Sequence, residues 1–421
     1  MIKESTIEKT SLPVSWEMKI FDDVINFSQI GLVRNNKEQS LEYTYRYLKM
    51  NNINNDNGLN EDSFKFVNAA SEEVKKYQLL NDDFLFNTRN SFELVGKNCL
   101  YKSDYTKPTL FNNNILRVRF KDFLFPEFAA YAFSSKAIID NLEKIKSGTT
   151  NVVGIYYKSL KYLEIPIPPL PQQKQIVAIL DKAFAAIDTA KANAEQNLQN
   201  AKELFESYLQ NIFENKGDDW ENKPLSEVCD LIKRGSQPKY TESEAGEIVL
   251  NQKCIRDHKI NLSVARKHNT NKKTINKERY IQLGDGLINS TGTGTLGRVA
   301  QVRELNFSAF VDTHITIVRP KKELFYLDFF GWALIYIEKI VQKSGEGASG
   351  QTELSRKVVE KFIISFPNEM KQQQQTAEKL DNLSLEIKKL EAIYTQKIAD
   401  LEEMKKAILE KAFKGELTSA A

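Results

Sequence analysis

Length, composition and charge set the first limits on this protein. The chain has 421 residues, which is too long for one ordinary hydrophobic core and suits two domains of about 150 residues with connecting structure. Its 59 Lys and Arg residues stand against 56 Asp and Glu residues, and the formal net charge is +3. This balance neither requires nor excludes a polyanionic partner, so charge is informative only locally.

Cysteine use and hydropathy indicate the compartment. Cys99, Cys229 and Cys254 are scattered without a CxxC pair, which argues against a disulfide framework and for a reducing environment. The N-terminal string MIKESTIEKT lacks an apolar signal segment, and the apolar stretch from Phe325 to Ile337 is too short to span a bilayer. The sequence therefore predicts a cytoplasmic protein without a membrane segment.

Residues 1–165 form the first predicted domain. It opens on Trp16 in the string WEMK, and short runs of β-branched and aromatic residues, such as Ile115–Phe120, predict strands. A stretch near Phe128–Lys146 predicts helical structure that packs on the resulting sheet. This pattern is typical of a mixed α/β domain.

Residues 166–216 contain the first predicted long helix. The string IPIPPLP ends the preceding strand and permits a helix only afterwards. From there apolar residues recur at spacings of three and four, from Ile176 through Tyr208 to Ile212. The spacing predicts a coiled-coil seam on a helix of about 43 residues, roughly 65 Å long.

Residues 217–367 form the second predicted domain, which opens on Trp220. Strands are predicted near Gly286–Ser290, Arg298–Arg303 and His314–Arg319, and a helix near Tyr326–Lys343. These elements predict a second mixed α/β domain.

Residues 368–421 contain the second predicted long helix. Its apolar seam includes Leu380 and Leu390 and is interrupted at Lys405, where Met404 is expected to cover the gap. One interpretation is a coiled coil with no role beyond packing. The other interpretation adds a function to that packing. Two equal antiparallel helices would place the globular domains at opposite ends and so fix the distance between them.

An internal duplication organises the whole chain. The string QQKQIVAILD, residues 172–181, aligns at an offset of 200 with QQQQTAEKLD, residues 372–381. Farther upstream NDDFLFNTRNS, residues 81–91, resembles LGDGLINSTGT, residues 283–293. The duplication predicts a pseudo-two-fold repeat of two similar α/β domains, separated by two long helices that form an antiparallel coiled coil.

A glycine-rich string, STGTGTLGRVAQV, matches the letters of a dinucleotide fingerprint at Gly292, Gly294 and Gly297. The RVAQV that follows predicts a strand where a pyrophosphate-binding site needs a helix. A plain hairpin loop and a loop that contacts nucleic acid remain as interpretations. The second is favoured because glycines let backbone amides approach phosphates and the neighbouring Thr and Arg side chains supply donors.

A basic run extends from Lys253 to Lys277, with eight Lys or Arg residues and the single acid Asp257. It is interpreted either as a solvated face or as a phosphate-contacting surface. Cys254, His258 and His268 fit no standard zinc spacing, and neither a GxxxxGK[ST] loop nor HExxH is present. No metal, cofactor or catalytic residue is predicted.

Together, the string IPIPPLPQQKQIV at residues 165–177, the Gly284–Arg298 string and the domain starts at Trp16 and Trp220 resemble the specificity subunit of type I restriction-modification systems. The resemblance covers essentially the whole chain. The first domain departs from the pattern, because it has NTRNSFELVGK, residues 87–97, where the second has the glycine-rich loop.

The resemblance implies a non-catalytic subunit that binds double-stranded DNA at a bipartite site. Each domain would read one half, the helices would fix the distance, two adenine-methylating modification subunits would dock on them, and restriction subunits would join that core. Residue type and loop context nominate DNA-binding residues, which are in the first domain Arg34, Arg89, Ser91, Lys97, Lys146, Thr149 and Asn151, and in the second Arg234, Ser236, Gln237, Lys239, Thr291, Thr293, Arg298, Ser344 and Gln351.

Two rival functions remain open from the sequence. The chain could be a coiled-coil adaptor that binds only protein, in which case the domains would show no salt-dependent affinity for DNA. It could also be a free-standing DNA enzyme, in which case the purified chain would methylate or cut DNA by itself.

Overall fold

The computed structural model describes residues 12–54, 57–149, 152–345 and 353–418. The chain divides into two compact units. The first comprises Met1–Ala194 and Gln396–Ala421, and the second comprises Glu195–Thr395. Each unit thus contains one α/β domain together with a part of each of two long helices.

The first unit begins with short elements and runs into a long helix. Its strands are β1 (Glu17–Ile20), β2 (Ile25–Ile30), β3 (Tyr45–Leu48), β4 (Lys65–Val67), β5 (Phe84–Asn87), β6 (Arg89–Asn90), β7 (Asn98–Leu100), β8 (Thr109–Phe111), β9 (Ile115–Phe120), β10 (Ser147–Thr149), β11 (Val152–Gly154) and β12 (Glu164–Ile167). Its helices are α1 (Phe21–Val24), α2 (Ser71–Tyr77), α3 (Pro126–Phe133), α4 (Lys136–Ile145), α5 (Tyr157–Leu160) and the long α6 (Leu170–Glu214).

A four-stranded antiparallel sheet, in the order β2-β9-β5-β7, is the centre of the first domain. Successive side chains of a strand point to opposite faces. Phe84 and Phe86 accordingly pack in the cluster that contains α3, and Leu85 packs in a separate cluster with Leu48 and Phe111 of a second sheet, β4-β3-β8. The central sheet is therefore buried on both faces.

The second unit repeats this arrangement. Its strands are β13 (Trp220–Pro224), β14 (Cys229–Arg234), β15 (Tyr240–Thr241), β16 (Glu247–Leu250), β17 (Ile255–Arg256), β18 (Lys259–Ile260), β19 (Arg266–His268), β20 (Gly286–Asn289), β21 (Val299–Gln301), β22 (Ala309–Val311), β23 (Ile315–Pro320) and β24 (Ile363–Pro367). Its helices are α7 (Leu225–Val228), α8 (Leu327–Lys343), α9 (Arg356–Val359) and the long α10 (Met370–Phe413).

The predicted mixed α/β repeat is confirmed by the topology. The central sheet of the second domain has the order β14-β23-β20-β21, and its strands pair as β2, β9, β5 and β7 pair in the first. Each domain also contains one parallel pair in its second sheet, β3 with β8 and β16 with β22. The predicted helix near Tyr326–Lys343 is α8, but the stretch near Phe128–Lys146 is two helices. Ser134 and Ser135 separate them and bond to the carbonyls of Ala130 and Ala132, which competes with helix continuation.

A buried glutamine fastens the start of each long helix to its domain. Gln173 accepts a hydrogen bond from Phe125 N at 2.8 Å and donates to the carbonyls of Phe123 and Pro168. Gln373 makes the same three bonds in the second unit. Both side chains are fully buried, so the second glutamine of the QQ pair that begins each helix string is structural.

Within the first unit, α6 and α10 run antiparallel. Lys405 Nζ lies 3.0 Å from Asp188 Oδ1, and Lys191 pairs with Glu402. Residue numbers therefore increase along α6 where they decrease along α10, which is the antiparallel arrangement that was predicted. In the second unit, Leu209 near the end of α6 shares a cluster with Leu380 near the start of α10.

The predicted seam needs corrections. Lys405 itself fills the seam position that Met404 was expected to cover. Its ammonium pairs with Asp188 and lies 5.0 Å from the centre of the Phe184 ring, while Met404 is exposed. Tyr208 and Leu390 were assigned to the seam by spacing and are exposed as well. Leu209 is buried beside Tyr208.

Candidate nucleic-acid interface

The glycine-rich string of the second domain is a hairpin between β20 and β21. Gly297 N donates to Asn289 O at 2.7 Å, and Asn289 N donates to Arg298 O at 2.9 Å. The backbone of Gly297 has a φ of +78°, and a Cβ there would lie 2.6 Å from the Cα of Gln342 in α8. Only glycine suits this position. A strand follows the loop in place of a helix, which contradicts the dinucleotide interpretation.

The first domain contains a loop that is closed by equivalent backbone bonds, in spite of its different sequence. Gly96 N donates to Asn87 O at 2.9 Å, and Asn87 N donates to Lys97 O at 2.8 Å. Gly96 also has a positive φ, +96°. The departure noted at NTRNSFELVGK thus leaves the closing bonds intact and places Lys97 at the position of Arg298, but the loop between them is one residue longer and lacks the positive φ angles of Gly292 and Gly294.

Paired asparagines support these loops from within each domain. Asn289 is fully buried, and its Nδ2 donates to the carbonyls of Thr295 at 3.1 Å and Gln252 at 3.0 Å. Asn87 is also fully buried, and its Nδ2 donates to Leu94 O at 3.2 Å. Neither asparagine was nominated from the sequence, although Asn87 and Asn289 are matched when NDDFLFN is aligned with LGDGLIN.

Four of the nine nominated residues of the second domain lie at one end of its central sheet. Arg234 ends β14, and the register pairs it with Thr316 near the start of β23. Thr291 follows β20, and Arg298 precedes β21. Thr293 is exposed in the same hairpin, so these four side chains share one edge of the sheet.

Arg234 and Thr291 share a neighbour that the sequence did not nominate. The Arg234 guanidinium pairs with Glu353 and donates to Leu354 O at 3.0 Å. Thr291 forms an isolated β-bridge with Glu353. The Arg234 side chain therefore helps to hold the segment at Glu353 against the hairpin.

Four other candidates of the second domain follow β14 or α8. Ser236 follows β14, and Gln237 and Lys239 are exposed in the next loop. Ser344 caps the end of α8 and donates to Ile340 O at 2.8 Å. Gln351 lies outside the described residues.

The first domain brings together Arg89, Ser91, Lys97 and Thr149. Arg89 is exposed on β6, and Gly154 of β11 pairs with it. Thr149 lies on β10, the antiparallel neighbour of β11, and is also exposed. Ser91 begins the loop that ends at Lys97, and burial lowers the pKa of Lys97.

Two nominated cations of the first domain have internal partners. Arg34 donates to Glu73 at 2.7 Å, and its side chain is 15% exposed. Lys146 Nζ lies 2.6 Å from both Phe92 O and Glu143 Oε1, and its side chain is 6% exposed. Both side chains therefore contribute to holding loops in place. Asn151 lies outside the described residues.

The basic run is joined to the nominated loop at Ser236–Lys239. Lys273 Nζ donates to Gln237 O at 2.6 Å, and Asn269 N donates to Lys239 O at 2.8 Å. Arg266 is exposed and lies with its guanidinium carbon 3.4 Å from the centre of the Tyr240 ring. This contact is a cation–π interaction that leaves the charge accessible.

The residues weighed for zinc have other partners. His268 is fully buried; its Nδ1 accepts from Lys239 N at 2.9 Å, and its Nε2 lies 2.7 Å from Lys273 O. His258 Nε2 lies 2.8 Å from Glu338. Within the described residues, no group of three or more metal-ligating side chains is found.

A duplicated ion pair lies at the end of each central sheet that is opposite to the nominated residues. Arg319 contacts Asp285 through Nε and Nη2, both at 2.8 Å, and Asp285 is fully buried. In the first domain Arg119 contacts the buried Asp83 at 2.5 and 3.1 Å. Burial raises the pKa of Asp285, and its hydrogen bond with Arg319 opposes that shift.

Family comparison matches nearly the whole chain. Residues 13–200 and 217–400 each match the type I restriction modification DNA specificity domain. In the part of the chain that the structure describes, no helix is long and apolar enough to cross a membrane.

Curated relatives carry the same description. The chain is 27% identical over 269 residues to a putative type I restriction enzyme MjaX specificity subunit from Methanocaldococcus jannaschii, covering 58% of this chain and 61% of that protein. It is 26% identical over 156 residues to the type I restriction enzyme EcoKI specificity subunit from Escherichia coli, covering 37% and 34%. The chain thus spans less than two thirds of the length of these two relatives.

Solved structures share the fold. A chain from a study of complex assembly and conformational transition of the type I R-M system superposes with a TM-score of 0.77, at 19% identity, over 96% of this chain and 99% of that one. The HsdS subunit from Thermoanaerobacter tengcongensis gives a TM-score of 0.58, at 19% identity, over 96% and 98%.

Proposed function

Since the chain belongs to the type I restriction-modification DNA specificity family, we propose that it is the non-catalytic DNA-recognition subunit of a methyltransferase and endonuclease complex. Each α/β domain reads one half of a bipartite double-stranded site. The two long helices set the distance between the halves and carry two modification subunits, and restriction subunits join that assembly. The subunit acts on cytoplasmic DNA and needs no cofactor of its own.

The observation that carries this proposal is the pair of equivalent hairpins with different side chains. The backbone bonds at Gly96 and Gly297 coincide, but the intervening residues are Phe92 to Val95 in one loop and Thr293 to Leu296 in the other. A shared scaffold that presents different donors and acceptors suits two domains that read different base sequences.

Within each domain the nominated residues divide by exposure. Arg89, Thr149, Thr293 and Arg298 are exposed or half-exposed at the sheet end, where their side chains can reach base edges or phosphates. Arg34 and Lys146 act indirectly, because their cationic groups are bonded within the domain. Phosphate contacts set the register on DNA, and contacts to base edges supply the specificity.

We expect the purified full-length chain to bind duplex DNA with an affinity that falls as salt rises, and to transfer no methyl group to that DNA. Salt dependence follows from the release of counterions when cations contact phosphates. Anisotropy titrations at several salt concentrations measure the binding, and radiolabelled S-adenosylmethionine measures the transfer.

A preparation supplemented with the modification subunits serves as the positive control for methylation. Methyl transfer by the chain alone would support the enzyme interpretation and contradict the proposal. Absence of salt-dependent DNA binding, with retained binding to partner proteins, would support the adaptor interpretation.

A further inference from the structure

Equivalent segments of the two domains differ in charge. Residues 32–79 and residues 236–281 begin and end at matching backbone bonds, Leu32 N to Phe111 O with Ser236 N to Val311 O, and Leu79 N to Thr109 O with Ile281 N to Ala309 O. The first, the neutral segment, contains seven Lys and Arg residues and seven Asp and Glu residues. The second, the basic segment, contains ten and five.

Three of the seven cations of the neutral segment are paired with its own acids. Arg34 binds Glu73 at 2.7 Å, and Lys75 lies 3.3 Å from Glu72. Arg46 lies 3.5 Å from Glu61, with its guanidinium carbon between the rings of Phe64 and Tyr105 at 4.5 and 4.0 Å. The neutral segment thus has no net charge, because its seven cations are matched by seven acids, and three of those cations are held in ion pairs within it.

The basic segment leaves its lysines available. Lys253, Lys272 and Lys277 are exposed, and none has an ion pair among the described residues. Two acids of the segment have other partners, because Glu278 pairs with Lys233 and Glu247 accepts from the Tyr280 hydroxyl at 2.8 Å. An excess of positive charge therefore remains on the surface.

This excess is continuous with the nominated sheet edge. Gln252, the residue before Lys253, accepts from Asn289 below the glycine-rich hairpin. At the other end, Lys273 bonds to Gln237 in the nominated loop. A duplex that lies on the hairpin of the second domain would have its phosphates close to these lysines.

We propose that the two domains hold DNA unequally: the basic segment of the second domain is the main phosphate anchor, and the first domain contributes mainly contacts that depend on base sequence. The inference rests on the proposed function, since it assumes that the chain binds DNA. Each phosphate neutralised on B-DNA adds about 0.9 to the salt slope, the steepness of log affinity against log salt. Most of the slope should therefore come from the second domain.

Two matched triple variants of the full-length chain test this assignment on a random-sequence duplex. One carries Lys253→Gln, Lys272→Gln and Lys277→Gln. The other carries Lys37→Gln, Lys65→Gln and Lys76→Gln, three exposed lysines of the neutral segment, so both variants lose the same net charge. The first variant should lower the salt slope by about 2 to 3, and the second by less than about 1.

A third variant, with arginine at positions 253, 272 and 277, should keep the parent slope because the charge is retained. Equal losses of slope in both glutamine variants, or no loss in either, would overturn the unequal anchoring while leaving DNA binding by the parent intact. A parent chain without salt-dependent binding would instead overturn the proposed function itself.

Discussion

Replacing Arg319 with methionine is expected to destabilise the second α/β domain by about 3–5 kcal/mol. Asp285 is fully buried and is contacted by two guanidinium nitrogens of Arg319 at 2.8 Å. Methionine would leave a buried carboxylate with only the hydrogen bond from Gln282 N. Removal of one partner from a buried ion pair is costly because the remaining charge cannot regain its water.

Hydrogen exchange resolves this effect by domain. Peptides from β20 and β23 should lose protection in Arg319→Met, while peptides from β5 and β9 of the first domain, which retain Asp83 and Arg119, should keep it. Lys361→Met is the matched control, because Lys361 is an exposed lysine of the same domain. Unchanged protection of β20 and β23 would show that this ion pair does not support the sheet.

An insertion of four residues into each long helix is expected to move the two recognised halves apart by about one or two base pairs. The positions are near Asn193 in α6 and near Asp400 in α10, which the pairing of Asp188 with Lys405 places opposite each other. Four residues add about 6 Å and a rotation of roughly 40° to each helix. The DNA axis rises about 3.4 Å per base pair.

Methylation-site mapping of DNA from cells that express the insertion variant with its modification subunits measures the gap between the halves. The bases within each half should stay the same. Four residues inserted after Glu244, in an exposed loop of the second domain, serve as the control and should leave the gap unchanged. An unchanged gap in the helix variant would show that the helices do not set it.

The sequence was sufficient for the architecture because the duplication is regular where packing constrains it. Strand β9 was predicted at its observed bounds, and the ends of both long helices lie within a few residues of the prediction. Apolar periodicity, together with proline at the starts of the long helices, indicates these elements in the sequence. The correspondence between residues of the two repeats then follows from the offset of 200.

Sequence patterns of this kind do not predict contacts between residues that are far apart in the chain. Arg34 is nominated as a surface cation, but it pairs with Glu73, 39 positions away, and Lys146 bonds to the carbonyl of Phe92, 54 positions away. The equivalence of the two hairpins was hidden as well, because Asn87 matches Asn289 and Gly96 matches Gly297 but the residues between them differ in type and number. Residue type alone cannot distinguish a side chain bonded within the domain from one available to DNA.

The most direct measurement of the central claim is methylation-site mapping after residues 1–165 are replaced as a unit by the corresponding domain of another specificity subunit. The predicted boundary falls within β12 and ahead of α6, so the second domain and both long helices stay unchanged. Independent reading predicts that one half of the recognised site changes while the other half and the gap remain. A change in the bases of both halves would contradict the account, because it would mean that neither domain reads its half alone.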